Sequence, residues 1–441
     1  MARRDEFEDE EDEVELVLFQ GALNGVDANL KENQRLVQAG LVPAKELVTD
    51  ALEQRAETVI VEPKAGRIGV RFMVDGMPYP GKPLHPKRGV AIAQMLKLLA
   101  GQDITNRTSA QSGAIKAEFL EHPYMVFVDS TPIPGSKGAE KIRLRIEDLK
   151  LDLSKPAHLG FTDHLKNWIR EFTSSKEGGV LLVCGPPQSG TSVTTFVTIH
   201  TIDAYLYSIF SMADVGAKDL NNVTHVDQGE DDSLEKTFEQ ILRKEADVLF
   251  HAPLQDAETA KTIFEFHNRL AFVAEIPAAD PPTALGQLLE WLDEPQQVVD
   301  GLRGIITQRL IRTLCSKCKE RFRPNPKLLA RVGLPNNTKV LCRKGEPPEL
   351  EKNEEPEPCE KCGDIGYHGR AGAFELLEMT EGMKELVLQG ADSAAIRKQM
   401  RADGMQTLQK DGLRIVADNQ TSLEELQRVF STKKKKRPRR R

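Results

Sequence analysis

Residues 179–195 read Gly-Gly-Val-Leu-Leu-Val-Cys-Gly-Pro-Pro-Gln-Ser-Gly-Thr-Ser-Val-Thr. Gly179 to Cys184 is a short apolar run ending in a glycine turn, the form of a strand buried on both faces of a parallel sheet. Gly185, Pro186, Pro187, Gln188, Ser189, Gly190, Thr191 and Ser192 then have the outline of a phosphate-cradling loop, G-x-x-x-x-G-K-[ST]. Both glycines are in place, and Ser192 supplies the hydroxyl that such a loop turns toward Mg²⁺. Thr191 stands where the lysine belongs.

A loop of this kind works because backbone N–H groups and a helix N-terminus point at phosphate oxygens. The glycines still permit that. The lysine would add a charge bridging the β- and γ-phosphates, and a hydrogen bond to a charged group contributes about 1.5–3 kcal/mol. Its absence is expected to weaken ATP binding about ten- to a hundredfold and to remove charge stabilisation in phosphoryl transfer. A plain glycine turn between strand and helix is the competing reading of the same residues.

The 441 residues suit about two to four domains. Apolar content of 39% and charged content of 29% fit a cored protein rather than a disordered chain. No apolar run approaches the roughly 18 residues of a membrane-spanning helix. The N-terminus carries acid where a signal peptide needs base, so a cytosolic location is expected. The net charge of −7 hides an asymmetry. Asp5, Glu6, Glu8, Asp9, Glu10, Glu11, Asp12, Glu13 and Glu15 make an acidic arm, and Lys433 to Arg437 with Arg439 to Arg441 make a basic tail. Both ends are expected to be disordered. The tail suits nucleic acid or anionic lipid, or simply solvent.

Between the arms, residues 16–45 give little beyond a helix over Asn29 to Leu41. Residues 46–56 have helical spacing, with Leu47, Ala51 and Leu52 on one face. Thr58 to Pro63 and Ile68 to Gly76 read as two strands around a turn, followed by a helix over 89–100 with Ile92, Met95, Leu96 and Leu99 in register. Strands are expected at 114–120, 124–129 and 140–146, closing an α+β domain near residue 150. From 160 the pattern alternates strand and helix, which argues for a parallel sheet. Asp247 to Phe250 and Leu270 to Val273 are its clearest later strands. Asp232 with Glu235 is expected to cap the helix carrying Leu234, Phe238, Ile241 and Leu242. Asp256 starts the next helix, and another is expected around 296–314 from Val298, Leu302 and Ile305.

Six cysteines are present. Cys315-Ser-Lys-Cys318 and Cys359-Glu-Lys-Cys362 flank a polar, proline-rich stretch. Two such hairpins can close a tetrahedral four-thiolate shell, for which Zn²⁺ is the usual structural occupant. Unligated surface thiols are the competing reading. Cys184 reads as a buried strand residue, and Cys342 has no partner in the pattern. A metal here would staple a subdomain with little apolar core and argues nothing for catalysis.

With these pieces in order, the chain from about residue 46 to 430 resembles the type II secretion and type IV pilus assembly ATPases, a family of cytosolic hexameric motors. In the first domain, Arg55-Ala56 through Glu62-Pro63 and Val70 to Gly76 resemble the family's strand pair, and Gln111, Gly113 and Glu140-Lys141 fall in familiar places. The most specific resemblance is C-terminal: Thr307-Gln308-Arg309-Leu310-Ile311-Arg312 with Cys315 and Cys318, then Cys359 to Gly372, then Gly404 to Leu408, Asp411-Gly412-Leu413 and Ser422-x-x-Glu425. The resemblance implies an α/β protein: a short segment over 16–45, a small α+β (PAS-like) domain over 46–150, and a RecA-like P-loop domain over 157–311. A zinc-binding subdomain with Cys315, Cys318, Cys359 and Cys362 follows over 312–376, then a helical part over 377–430. The acidic arm occupies 1–15 and the basic tail 431–441. Residues 1–45 are short for the separate N-terminal docking module of larger relatives.

The chemistry is where this sequence departs from the pattern. The loop lysine is Thr191. Of the G-E-I-R-D segment, Ala252-Pro253-Leu254-Gln255-Asp256 keeps the aspartate alone. Phe210-Ser211-Met212-Ala213 occupies the place of an acidic pair, and Ala274-Glu275-Ile276-Pro277 carries proline where the family's histidine belongs. Met73 and Phe127 replace arginines directed at phosphate, although Arg71 and Arg145 remain as nucleotide-facing candidates. Lys176 and Lys218 are possible substitute cations. Losing one electrostatic catalytic group commonly costs ~10²–10³ in rate, so ATP hydrolysis is not expected. The resemblance therefore implies structural zinc, weak or absent ATP and Mg²⁺, and a homo- or hetero-hexamer with an active relative. It also implies contact with inner-membrane platform proteins, at the cytoplasmic side. A working motor with relocated catalytic groups is the first alternative. A nucleic-acid-binding protein is the second, disfavoured by an acidic body with 5% aromatic residues, which leaves few stacking platforms.

Overall fold

A computed structural model of the chain describes residues 15–431 apart from 65, 137, 152–155, 175–176, 214–221, 230 and 346–357. The acidic arm up to residue 14, the basic tail, Lys176 and Lys218 lie outside the described residues. The chain divides into two compact units, Met1–Asp152 and Leu153–Arg441.

The first unit runs β1 (Leu18–Ala22), α1 (Gln34–Glu53), β2 (Thr58–Lys64), β3 (Arg67–Val74), β4 (Met77–Pro80), α2 (Pro86–Leu99), β5 (Gln111–Phe119), β6 (His122–Pro132) and β7 (Glu140–Asp148). Its seven strands form one antiparallel sheet in the order β1-β5-β6-β7-β2-β3-β4. Strict alternation explains the sheet's two faces. Val59, Val61, Val70, Phe72, Val126, Val128, Ile142 and Leu144 are buried, together with Ile92, Met95, Leu96 and Leu99 of α2. Each fully buried side chain of this kind contributes about 1.5–3 kcal/mol. The residues between them, Arg71, Met73, Phe127, Arg143 and Arg145, point to the other face. The helices expected over 29–41 and 46–56 are one helix, α1, continuous through Pro43 at the loss of one backbone rung. The edge strands β1 and β4 carry no alternation long enough to read from sequence.

Several residues of the familiar N-terminal pattern act within this scaffold. Gln111 closes a loop by accepting from Asp103 N (2.9 Å) and donating to Asp103 O (3.0 Å) and Asn106 O (2.9 Å). Glu140 takes the ammonium of the fully buried Lys97 at 2.6 Å.

The second unit begins with α3 (Pro156–Leu159), α4 (Asp163–Ser174), β8 (Gly179–Cys184), α5 (Thr191–Ile199), β9 (Ile209–Ser211), β10 (Val223–His225), α6 (Leu234–Leu242), β11 (Val248–Phe250), α7 (Ala257–Phe266) and β12 (Ala271–Glu275). It continues with α8 (Pro281–Trp291), α9 (Pro295–Gly301), β13 (Leu302–Leu314), β14 (Glu320–Phe322), α10 (Pro326–Val332), β15 (Leu341–Arg343) and β16 (Tyr367–Glu378). Four helices end it: α11 (Glu381–Leu388), α12 (Ser393–Ala402), α13 (Leu408–Ala417) and α14 (Leu423–Phe430). The large sheet has the order β10-β9-β11-β12-β8-β13-β16, parallel throughout except that β16 runs antiparallel to β13. β8 lies inside it and is buried along its whole length. Val180, Leu182 and Cys184 feed one core, while Leu181 and Val183 feed the other. This is an α/β fold of the RecA-like kind.

Two expectations for this unit are corrected. The helix expected around 296–314 stops at Gly301, and Leu302–Leu314 is the strand β13. The spacing of Val298, Leu302 and Ile305 fits a helix, but Ile305, Ile306 and Thr307 gain more by pairing with β8 on one side and β16 on the other. Gly304 also lets the strand pass Trp168, whose ring would lie 2.7 Å from an added Cβ. The cap of α6 is Ser233, which accepts from Lys236 N, because Asp232 is drawn to the Lys236 ammonium at 2.5 Å. Asp256 caps α7 as expected, accepting from Thr259 N at 2.8 Å.

Candidate functional site

The loop after β8 keeps the backbone of a phosphate cradle without its charge. Gly185 N donates to Ala278 O (2.9 Å) and Ser189 N to Pro186 O (3.0 Å), which closes the turn. Gln188 and Gly190 both take left-handed φ, +66° and +86°. Gly190 adopts this freely; Gln188 does so against its Cβ, at a cost of about 1–2 kcal/mol. α5 starts at Thr191 with no side-chain cap. The first N–H groups of such a helix have no carbonyl of their own and suit an anion. Pro186 and Pro187 supply no N–H and Ser189 N is taken by Pro186 O, so the free donors are those of Gln188 and of Gly190 to Val193.

Gln308 supports the loop from β13, with Nε2 donating to Ser189 O at 2.7 Å. Gln308 Oε1 and Ser189 Oγ are buried without a hydrogen-bond partner. Cys184 ends β8 with its sulfur 3.0 Å from Thr307 Oγ1, and burial pushes its thiol up to about 12, so it stays protonated.

The neighbouring strand brings a carboxylate that the motif reading did not assign. Glu275 is the last residue of β12, in register with Val183 of β8, and its Oε2 lies 3.4 Å from Ser192 Oγ. Its carbonyl accepts from Leu254 N at 2.8 Å, which sets it beside the segment Ala252 to Asp256. The sequence signal was there: a carboxylate closing the otherwise buried run Ala271 to Ala274. Within that segment Pro253 offers no side-chain donor or acceptor. Asp256 has its carboxyl held below its ordinary range by the N–H and hydroxyl of Thr259. Phe210 and Ser211 are buried in β9. His251 is a core residue that burial holds neutral, with Nδ1 2.7 Å from Ala252 O.

Arg71 and Arg145 belong to the first unit, and the loop belongs to the second. Arg71 pairs with Glu62 at 3.2 Å. Arg145 lies over the Phe127 ring, 4.3 Å from its centroid. Both sit on the same face of the antiparallel sheet, flanking β2.

The four cysteines come together at the far end of the β13–β16 pair. The sulfurs of Cys315, Cys318, Cys359 and Cys362 all lie within 4.8 Å of one another. Cys315 and Cys359 are 3.9 Å apart, and Cys318 and Cys362 are 3.6 Å apart. Tetrahedral ligands 2.3 Å from zinc stand about 3.8 Å apart, so the donor set and its spacing fit that ion. N–H groups of Lys361 and Cys362 lower the Cys359 thiol to about 7. Glu425 anchors the same end. It accepts from Arg312 N (3.1 Å), Arg312 Nη2 (2.7 Å) and Arg428 Nε (2.7 Å), and Arg312 stacks on Tyr367 at 4.0 Å. Tyr367 shares a hydrogen bond with Ser422, the cap of α14, at 2.9 Å. Asp411 is fully buried and receives Phe374 N (2.9 Å), Gln406 Nε2 (2.7 Å) and Arg414 Nε (2.7 Å).

The description "Type II/IV secretion system protein" fits residues 34–428, most of both units. The chain belongs to this family. It is 30% identical over 392 residues to the type IV pilus assembly ATPase PilB of Myxococcus xanthus, covering 86% of this chain and 66% of that protein. It is 27% identical over 390 residues to type II secretion system protein E of Pseudomonas aeruginosa, covering 87% of this chain and 74% of that one. The crystal structure of the Legionella pneumophila ATPase DotB shares the fold, with a TM-score of 0.56 at 11% identity over 88% of this chain and 95% of that one. Within the family's frame, the residues of the C-terminal pattern are scaffold: Gln308 under the loop, Arg312 with Glu425, Asp411 against β16, and the cysteines. Among the described residues no helix is long and apolar enough to cross a membrane.

Proposed function

We propose that this chain is a catalytically degenerate subunit of a type II secretion or type IV pilus-like machine, working in homo-hexamers or in mixed hexamers with an active relative. The observation that carries this reading is the loop itself. Its left-handed turns, its helix start and Ser192 are kept, while Thr191 holds the lysine's place and Pro253 the glutamate's. A phosphate would be met by the N–H groups of Gln188 and of Gly190 to Val193, with Ser192 and Glu275 offering oxygens to Mg²⁺. Bound Mg²⁺ supplies charge neutralisation between phosphates. The hard oxygen donors of Ser192 and Glu275 suit such an ion. With no lysine, binding is weak and turnover is lost. The four cysteines hold one structural zinc. Docking is through inner-membrane platform proteins at the cytoplasmic side.

Purified full-length protein tests this reading. It is expected to release phosphate from ATP no faster than its Ser192→Ala variant, and to run as a hexamer alone or on mixing with an active relative. Turnover clearly above the Ser192→Ala background refutes degeneracy.

A further inference from the structure

We propose that Glu275 is a relocated metal-binding carboxylate, which with Ser192 holds a divalent cation against the phosphates of a nucleoside diphosphate or triphosphate. The family's pattern puts a carboxylate on the segment after β11, at the position of Pro253. This chain has none there, and it has one on the adjacent strand instead.

Three observations place Glu275 in that role. Its backbone is tied to the emptied segment, since Leu254 N donates to Glu275 O at 2.8 Å. Ile276 N donates to Val183 O at 3.0 Å, so the side chain leaves β12 beside the end of the loop strand β8. Its Oε2 stands 3.4 Å from the hydroxyl of Ser192, the second residue of α5. Adjacent oxygens around Mg²⁺ are about 2.9 Å apart, given Mg–O bonds of 2.0–2.1 Å. The two donors are thus within a small side-chain rotation of a shared ion. Ser189 Oγ in the loop and Gln308 Oε1 on β13 beneath it are also buried without a hydrogen-bond partner.

Electrostatics give the proposal its sign. Without the loop lysine, a carboxylate beside Ser192 repels bare phosphate. With a divalent ion between them the same carboxylate attracts it. Glu275 therefore makes nucleotide binding depend on metal, where a lysine would have made it partly independent.

This inference rests on the loop taking nucleotide at all, and the experiment separates the two. The full chain is titrated with ADP by calorimetry, with and without Mg²⁺, and Mn²⁺ binding in the presence of ADP is followed by electron paramagnetic resonance. Wild-type protein is expected to bind ADP appreciably with metal alone present. Glu275→Gln is expected to lose about tenfold or more in Mn²⁺·ADP affinity, yet to bind metal-free ADP as well as wild type or better. Ser192→Ala should lose Mn²⁺·ADP affinity alongside it, and an unchanged melting temperature in both variants shows that the loop still folds. Equal Mn²⁺·ADP binding by wild type and Glu275→Gln overturns the role of Glu275 while leaving the nucleotide site standing. No ADP binding by wild type in either condition overturns both.

Discussion

The four-cysteine end of the β13–β16 pair and the loop after β8, which packs against the middle of β13 at Gln308, belong to one unit, and they match the family's pattern to different degrees. At the cysteine end every donor is present, and so is the surrounding support: Arg312 with Glu425, and Tyr367 with Ser422. At the loop the backbone and the supporting Gln308 remain, while Thr191 and Pro253 stand where the pattern has a lysine and a glutamate. The difference teaches that the two ends do separate work. A structural metal site stabilises the fold whether or not a reaction takes place, and here it would add to a real core, since Leu329, Leu334 and Leu341 are buried against Ile311, Ala373 and Ile415, more apolar burial than the sequence suggested. Catalytic charges contribute little to folding and are often a strain on it, so on the proposed reading their absence leaves the fold intact.

The comparison is broken most easily at the cysteine end. If the four cysteines hold zinc as proposed, Cys318→Ser or Cys362→Ser should abolish zinc binding and lower the melting temperature by more than about 10 °C, given the size of structural zinc contributions. Metal analysis and thermal denaturation check this, and an unchanged melting point with no metal would remove the contrast. Next in size is Glu425→Ala, which leaves Arg312 and Arg428 facing a buried gap and should destabilise by about 3–5 kcal/mol at pH 7. Burial alone would raise this carboxyl, yet the hydrogen bonds from Arg428 and Arg312 prevail and hold it at about 2, below its ordinary 4.5. The stabilisation is therefore complete above pH 4.5 and fades as pH falls toward 2, where denaturant melts of wild type and Glu425→Gln should converge.

At the loop the expected effects are smaller and of opposite sign. Thr191→Lys should tighten nucleotide binding about ten- to a hundredfold, read by calorimetry with ADP and Mg²⁺. No gain would mean that the backbone frame has lost its function along with the charge. Gln188→Gly relieves a left-handed residue and should stabilise the protein by about 1 kcal/mol, seen as a rise of about 2–4 °C in melting temperature.

Local physics made much of this molecule legible in its sequence. Alternation dictated β2 and β3, because one face of an antiparallel sheet is buried and the other is not. An unbroken apolar run dictated β8, because a strand covered on both faces has no polar side to show. Two Cys-x-x-Cys pairs pointed to a cluster, because thiolates at that spacing can share one ion, and the four sulfurs do come together. The missing lysine was visible as a single letter. What only tertiary structure decided were choices between partners. Leu302–Leu314 carries a helical period and becomes a strand because β16 pairs with it from Gly304 to Leu314 and β8 pairs with its first half, Leu302 to Thr307. Asp232 yields its cap to Ser233 because a lysine competes for it. Glu275 gains its place at Ser192 because two parallel strands far apart in the chain end side by side, and no local pattern encodes that adjacency.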